Sequence, residues 1–334
     1  MIRAITTTEI VAKAIRSACR APSLHNSQPW RWIVGEETVD LFVDHRRVIR
    51  SADSSGREAL ISCGAALGHF RIAMAAAGWK VTVATFPSPK ERDHLASLDF
   101  SPAEYVTDAE LDRAEAILRR RTDRLPFNAP RHWERFEPAL RNTIDDGKVT
   151  LDVLADDARA TLAVASGLTE SIRRRDVYYQ DEMHWWTESL RAYEGVPPSS
   201  LVSEGERERV GFNRKFPVTQ YGDRRHDIRT DEAKILVLST PRYTRTDALN
   251  CGEALSTVLT ECTVVGLASC TLSHLTELPK SRAVIQELTG SRAIPQLLVR
   301  VGNAPTSEDI PAPTPRRPLS EVMQMKVHQG RSTR

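Results

Sequence analysis

Two long apolar segments of this chain resemble each other, and both predict buried helices. Residues 63–79 read CGAALGHFRIAMAAAGW, and residues 251–267 read CGEALSTVLTECTVVGL. Aligned without a gap, they share five of seventeen positions, where about one is expected by chance. Either two buried helices converged on small residues, or an internal duplication produced two related halves about an approximate twofold axis. Small residues at 64–66 and 252–254 would let two such helices approach closely.

Size and charge narrow the possible classes of protein. The 334 residues are about twice the roughly 150 of an average domain. A balance of 46 basic against 44 acidic residues, net +2, argues against nucleic acid or an anionic membrane surface as partner. The longest stretch without Asp, Glu, Lys or Arg is 262–276, which is too short to span a bilayer. The first residues lack the continuous apolar run of a signal peptide.

Cysteine use indicates a reducing compartment. The five cysteines form no CxxC pair, which favours neither a disulfide framework nor a zinc site. We therefore expect a cytoplasmic protein that binds no metal.

Hydrophobic periodicity predicts an α+β chain. Helices are expected over 7–20, 57–77, 108–120, 157–173 and 249–265. Strands are expected over Trp30–Val34, Val39–Val43, Lys80–Phe86, 149–154, Ile235–Leu238 and Gln296–Val301. The polar stretch 88–107 is the candidate boundary, dividing the chain into 1–105 and 106–334. The Pro-rich, basic tail 303–334 should wrap the surface.

Aromatic residues concentrate in one stretch of the second part. Residues 176–221 hold eight of the chain's 20 aromatic residues, namely Tyr178, Tyr179, Trp185, Trp186, Tyr193, Phe212, Phe216 and Tyr221. Two interpretations stay open. The stretch is either a satellite hydrophobic cluster beneath a long loop or a lid over a flat ligand.

The segment APSLHNSQPW at 21–30 presents five polar side chains just after the first helix. Asn26 and Gln28 each carry a donor and an acceptor, which suits a heteroaromatic edge with alternating donors and acceptors. The alternative is a capped loop that hydrogen-bonds to itself. Signatures such as GxGxxG, GxxxxGK, HExxH and GxSxG are absent from the sequence, so the common nucleotide loops and hydrolase motifs are not indicated.

Arginines and a hydroxyl cluster at 120–124, RRTDR. Guanidinium groups suit a phosphate monoester because they offer planar, bidentate donors. A solvated basic helix end is the alternative. The run Arg173–Arg175 lacks a hydroxyl and is interpreted as solvated. Arg316 and Arg317 lie in PTPRRPLSEV, where the prolines favour an extended tail.

Together these motifs resemble the FMN-dependent nitroreductase superfamily. Its PSxxNxQPW-like motif stands here at 22–30, its RRSxR-like motif at 120–124, its GLxxC-like stretch at 266–270 and its RxPLxEV at 316–322. The resemblance covers nearly the whole chain and is weakest in the insert near 176–230. It implies a nitroreductase-like fold.

The arrangement of the motifs resembles a homodimer fused into one chain. Typical members are shorter and bind FMN at the subunit interface, taking the Arg motif from one subunit and the PSxxN loop from the other. Here the PSxxN loop occurs only in the first part, and RRTDR only in the second. The resemblance, closest to the Acg-like mycobacterial branch, therefore implies two tandem nitroreductase-like halves forming an intramolecular pseudo-dimer. That pseudo-dimer would bind one FMN, and a monomer is then reasonable.

The resemblance also assigns residues to the cofactor. Ser23, Leu24 and Asn26 should lie along the flavin ring with Gln28 supporting their loop, while Arg120, Thr122, Arg124 and Arg316 should hold the phosphate. An acidic-Gly pair often contacts flavin N5, and the comparable position here is Ser273–His274, without the glycine. His69 and Arg71 are candidates for the cations near the flavin N1–C2=O edge; the alternative is that both simply lie on a helix face.

Two functions from different classes follow from the resemblance. An FMN-dependent oxidoreductase would pass hydride from NAD(P)H to a nitro compound or quinone. Alternatively, the aromatic insert and wrapping tail would close over FMN, giving a storage protein without NAD(P)H turnover. A degenerate fold without flavin is the third possibility, although the phosphate-binding residues are all present.

Overall fold

The computed structural model describes residues 2–144, 147–187, 193–219, 222–306 and 312–326, with side chains from residue 8 onward. Its helices are α1 Ile2–Ala18, α2 Arg57–Ala76, α3 Asp108–Arg119, α4 Trp133–Ile144, α5 Ala158–Arg173, α6 Val177–Thr187, α7 Glu204–Val210, α8 Arg245–Val264, α9 His274–Glu277, α10 Pro279–Thr289 and α11 Leu319–Val322. Its strands are β1 Trp30–Val34, β2 Thr38–Val43, β3 Trp79–Thr85, β4 His94–Pro102, β5 Thr150–Val153, β6 Lys234–Thr240, β7 Ala268–Leu272, β8 Ile294–Gly302 and β9 Met323–Met325.

The two sheets repeat one topology. The first has the order β3-β4-β2-β1-β9, and the second, read in the matching direction, β7-β8-β6-β5. Neighbouring strands are antiparallel except β9, which joins β1 in parallel. In each half a long helix, α2 or α8, connects the second strand to the third. Both helices are apolar on most of their surface, and such a helix must lie in a core.

The central helices pack against each other in a reciprocal way. A Cβ on Gly64 would lie 2.1 Å from the Leu249 carbonyl oxygen, and a Cβ on Gly252 would lie 2.1 Å from the Ile61 carbonyl oxygen. In the alignment of the two segments, each residue of the first half corresponds to the residue 188 positions later, as Cys63 corresponds to Cys251. Gly64 then corresponds to Gly252 and Ile61 to Leu249, so the two contacts are equivalent. Such self-complementary pairing is the signature of a twofold interface. The internal duplication is therefore the correct explanation, and the predicted α+β fold of two tandem halves is confirmed.

The second half differs by a long insertion. Where Gly35–Glu37 join β1 to β2, residues 154–233 join β5 to β6 and include α5, α6 and α7. Tyr179, Met183 and Trp186 pack against Ile49 of the first half, as expected of a satellite cluster. By contrast, Tyr178, Trp185 and Tyr193 are exposed, and Tyr221 lies outside the described residues.

Three features depart from the sequence-based expectations. Helix α1 begins earlier than residue 7, and α4, α6, α7 and α10 were not predicted. The stretch 88–107 contains β4, whose alternating apolar residues pair with β2 and β3. The tail does more than wrap the surface, because β9 extends the first sheet and Val322 is fully buried.

Helix α2 is the one described helix long and apolar enough to cross a membrane. Its most apolar window is 67% buried inside the protein. A core helix of a soluble protein has these properties, so its composition is explained by its packing against α8.

Candidate functional site

Two adjoining cavities lie where the halves meet. The first, which we call the ring cavity, has a volume of about 100 Å³. The second, the arginine cavity, has a volume of about 50 Å³. They share the wall residues Pro22, Ser23, Thr122 and Arg124. The joined space has one end lined by arginines and one end with apolar walls, which suits a ligand with a ring system and a charged end.

Five arginines line the arginine cavity from three parts of the chain. Arg20 follows α1, Arg120, Arg121 and Arg124 follow α3, and Arg316 comes from the tail. Arg316 Nε donates to the Cys19 carbonyl oxygen at 2.8 Å, and Arg120 donates to the Arg20 carbonyl oxygen at 2.8 Å. Thr122 forms a bridge to Ser269 on β7, which fixes the motif beside the ring cavity.

Arg20, Arg120, Arg124 and Arg316 form no ion pair with an acid among the described residues. The acid of the RRTDR motif, Asp123, pairs with the buried Arg225 at 2.6 Å and lies 3.8 Å from Arg121. Burial, and to a lesser extent the positive charge of the neighbouring Arg20, lowers the pKa of Arg120 to about 10. Burial, followed by Arg120 and Arg20, lowers the pKa of Arg316 to about 9. Clustered cations that depress one another's pKa in this way favour binding of an anion.

The loop 23–28 is a strained turn tied to distant segments. His25, Asn26 and Gln28 have φ of 49°, 59° and 52°, a left-handed conformation that is uncommon outside glycine. The Gln28 side chain donates to the Tyr193 carbonyl oxygen at 2.7 Å and accepts from the Arg317 backbone N–H at 2.9 Å. It therefore holds the loop against both the insertion and the tail. Strained backbone of this kind clusters at ligand sites.

Several titratable groups line the ring cavity. Glu58, in the first turn of α2, lines it. Burial, and to a lesser extent the negative charge of Glu277, raises the pKa of the Glu58 carboxyl to about 7. Burial, and to a lesser extent the positive charge of Arg214, holds the pKa of both His25 and His274 well below the usual range. Both imidazoles are therefore neutral.

The insertion reaches both cavities through residues 193–219, which we call the covering segment. Gly195–Pro197 line the arginine cavity, and Phe216 lines the ring cavity. The Phe216 ring meets the His25 ring edge-on at 5.4 Å and lies 5.0 Å from the Arg124 guanidinium carbon. Arg214 anchors the segment through an ion pair with Glu277 and a 2.7 Å hydrogen bond to the Tyr179 hydroxyl.

The structure brings the sequence-predicted residues together around these cavities. Ser23, Leu24 and Ser273 line the ring cavity, whereas Asn26 lines only the arginine cavity. Arg120, Thr122, Arg124 and Arg316 all line the arginine cavity, and Gln28 supports the loop without lining either.

The interpretation of Arg173 as solvated is wrong, because Arg173 pairs with Glu277 at 3.1 Å. Arg174 and Arg175 are exposed, as expected. His69 and Arg71 line neither cavity and lie on a helix face, the alternative that the sequence left open. His69 is hydrogen-bonded to Ser256 at 2.7 Å, and Arg71 pairs with Glu253 at 2.8 Å. His274, named from the sequence with Ser273, does line the ring cavity. Sequence reasoning missed four further lining residues: Arg20, Glu58, Asn213 and Arg214.

Comparison with known proteins identifies the family. The chain is 53% identical to a Mycobacterium tuberculosis protein named "Putative NAD(P)H nitroreductase acg", over 98% of this chain and 99% of that protein. The chain belongs to the Acg-like nitroreductase family. Another M. tuberculosis relative named as an NAD(P)H nitroreductase is 36% identical over 95% of this chain and 91% of its own length. An uncharacterized protein of the same organism is 52% identical over 95% and 93%.

No protein-family model matches this Acg-like chain. Among solved structures, an FMN-dependent nitroreductase from Mycobacterium smegmatis in complex with NADPH aligns with a TM-score of 0.42 and 15% identity. It covers 66% of this chain and 100% of its own.

Proposed function

We propose that this chain binds one FMN across the two cavities and acts as an NAD(P)H-dependent oxidoreductase on a nitro compound or quinone. The observation that carries the proposal is that Arg20, Arg120, Arg124 and Arg316 line one cavity and form no ion pair with an acid among the described residues. Arg120 is only 4% exposed, its Nε has no hydrogen-bond partner, and its one described acceptor is a backbone carbonyl. A phosphate monoester would supply the missing charge and acceptors at this place.

The ring cavity fits the other end of the same cofactor. Leu24, Ile61, Leu255 and Leu297 give it apolar walls beside a few polar groups, the usual make-up of a cofactor site. When bound, FMN would accept hydride from NAD(P)H and pass electrons to the acceptor. Arg124 and Arg214 face the same space and would favour a ligand that gains negative charge during the reaction.

Asymmetry between the halves supports a single site in each chain. The shift of 188 residues that relates the halves places Thr85 and Phe86 at the positions of Ser273 and His274. The Arg245 guanidinium carbon lies 5.3 Å from the centre of the Phe86 ring. Phe86 therefore stands at the position of His274, a wall residue of the ring cavity, and has a guanidinium group beside it. We therefore expect one FMN per chain.

A storage function is the second candidate, and the covering segment favours it. Phe216 and Arg214 line the ring cavity, and the buried Arg214–Glu277 pair holds them there. Hydride transfer needs the donor and acceptor atoms at about 3–3.5 Å. A segment that stays closed would exclude nicotinamide while FMN remains bound.

Visible absorption of the purified protein tests both candidates. Flavin bands with a stoichiometry near one per chain are expected, and absence of flavin binding would refute the FMN site. Under anaerobic conditions, prompt bleaching by NADPH would support the oxidoreductase. Bands that persist until dithionite is added would instead support storage.

A further inference from the structure

His25 has an unusual environment that the proposed cofactor site does not explain. The residue is 6% exposed, and neither ring nitrogen has a hydrogen-bond partner among the described residues. A buried polar group without a partner is destabilising. A ligand that filled the ring cavity, which His25 lines, and reached an imidazole nitrogen would remove this penalty.

The surroundings of His25 indicate what chemistry such a ligand would have. Arg124 and Arg214 lie close enough to help burial lower the pKa of His25, so the ring is neutral and offers one N–H donor and one acceptor. The Phe216 ring lies against it, providing an aromatic wall. A flat aromatic ligand bearing a nitro or carbonyl oxygen matches this combination of one donor, nearby cations and an aromatic surface.

The position of His25 separates it from the part of the loop next to the arginines. Ser23 lines both cavities and Asn26 lines the arginine cavity, whereas His25 lines only the ring cavity. His25 also contacts Phe216 of the covering segment. An oxidising substrate must occupy the space between the cofactor and whatever covers it, and His25 borders the covering segment.

We propose that His25 binds the oxidising substrate, donating a hydrogen bond from its imidazole to a nitro or quinone oxygen. This inference rests on the proposed function, since it assumes that the cofactor shares the ring cavity. It makes His25 a specificity-determining residue, because a ligand without such an oxygen would leave the imidazole unpaired.

Two neutral probes that differ in one group test this assignment. Oxidised, FMN-loaded protein without reductant is titrated calorimetrically with p-nitrobenzyl alcohol and with p-methylbenzyl alcohol. The variant His25→Phe keeps a ring against Phe216 and removes both nitrogens. We expect the parent to bind the nitro probe about fivefold more tightly than the methyl probe, which is the worth of one net hydrogen bond. His25→Phe should lose that preference.

Several results would overturn the proposal, and each is distinct from failure of the cofactor site. A preference for the nitro probe that is equal in parent and variant shows that His25 does not contact the oxygen. No preference in the parent also overturns it. A variant with weakened FMN binding and an unchanged preference would assign His25 to the cofactor instead. Parent protein that binds no FMN would refute the proposed function itself, a result read from absorbance before any titration.

Discussion

Replacing Arg120 with methionine should stabilise the protein without FMN and weaken its binding of FMN. Methionine has a similar length but no charge, so the change removes the guanidinium that burial and Arg20 disfavour. Lowering the pKa of Arg120 from 12.5 to about 10 corresponds to roughly 3 kcal/mol at about 1.36 kcal/mol per unit. Loss of the hydrogen bond to the Arg20 carbonyl oxygen destabilises the variant by about 1 kcal/mol. The free energy of unfolding should therefore rise by about 2 kcal/mol.

The pH dependence of this gain follows from the direction of the shift. Folding lowers the pKa of this cation, so the unfavourable charged state persists below the folded value of about 10. The penalty is relieved only as the pH rises from there toward the unfolded value. The stability difference between Arg120→Met and the parent should therefore be constant from about pH 6 to 9.

Binding of FMN should change in the opposite direction. A charge-assisted hydrogen bond contributes about 1.5–3 kcal/mol, so affinity should fall roughly 10- to 100-fold. Chemical denaturation without FMN and calorimetric titration with FMN measure the two effects. Arg119→Met is the matched control, because Arg119 is 52% exposed and its ion pair, with Glu115, lies on the same helix. An Arg120→Met protein that is less stable than the parent and binds FMN equally well would refute the reasoning.

The remaining predictions concern the helix contact, the raised carboxyl and the covering segment. Gly64→Ala should destabilise the protein by at least about 1–3 kcal/mol because the new Cβ would overlap the Leu249 carbonyl oxygen. The control Gly167→Ala should not destabilise it, because a Cβ there meets no atom within 4 Å. Equal denaturation midpoints for Gly64→Ala and the parent would contradict the close approach. The pKa of Glu58 is raised to about 7, so its protonated form contributes stability that is present below about pH 4.5 and lost as the pH rises through 7. Glu58→Gln should therefore gain melting temperature relative to the parent between pH 5 and 8, and a pH-independent difference would count against the shift. Phe216→Ala should speed anaerobic flavin reduction by NADPH if the covering segment limits access; an unchanged rate in stopped-flow absorbance would dismiss that role.

Much of the fold could be predicted because it depends on local periodicity. The strands around Trp32 and Val237 and the helices containing Gly64 and Gly252 follow the patterns of apolar residues in the sequence. The repeated CGxAL segment also indicated the duplication. Element order alone could not show the twofold contact, because the approach of Gly64 to Leu249 joins residues far apart in the chain.

The candidate site was predictable only where a motif stands in one continuous stretch. Ser23 and Arg120 are in such motifs and do line the cavities. Arg214 and Glu58 could not be assigned, since each has an ordinary sequence context and acquires its role from neighbours brought by other elements. Arg173 shows the converse error: a basic run looks solvated until the fold supplies Glu277.

By itself, the sequence determined the family, the two-part organisation and the concentration of arginines around one aspartate in RRTDR. The tertiary structure decided where the positive charge is left unbalanced. Asp123 is next to Arg124 in the chain, but its carboxylate pairs with Arg225 from the insertion. Arg20, Arg120, Arg124 and Arg316 are left without an ion pair among the described residues. The physical reason is that electrostatic pairing and burial depend on distances in space, which local sequence patterns do not encode.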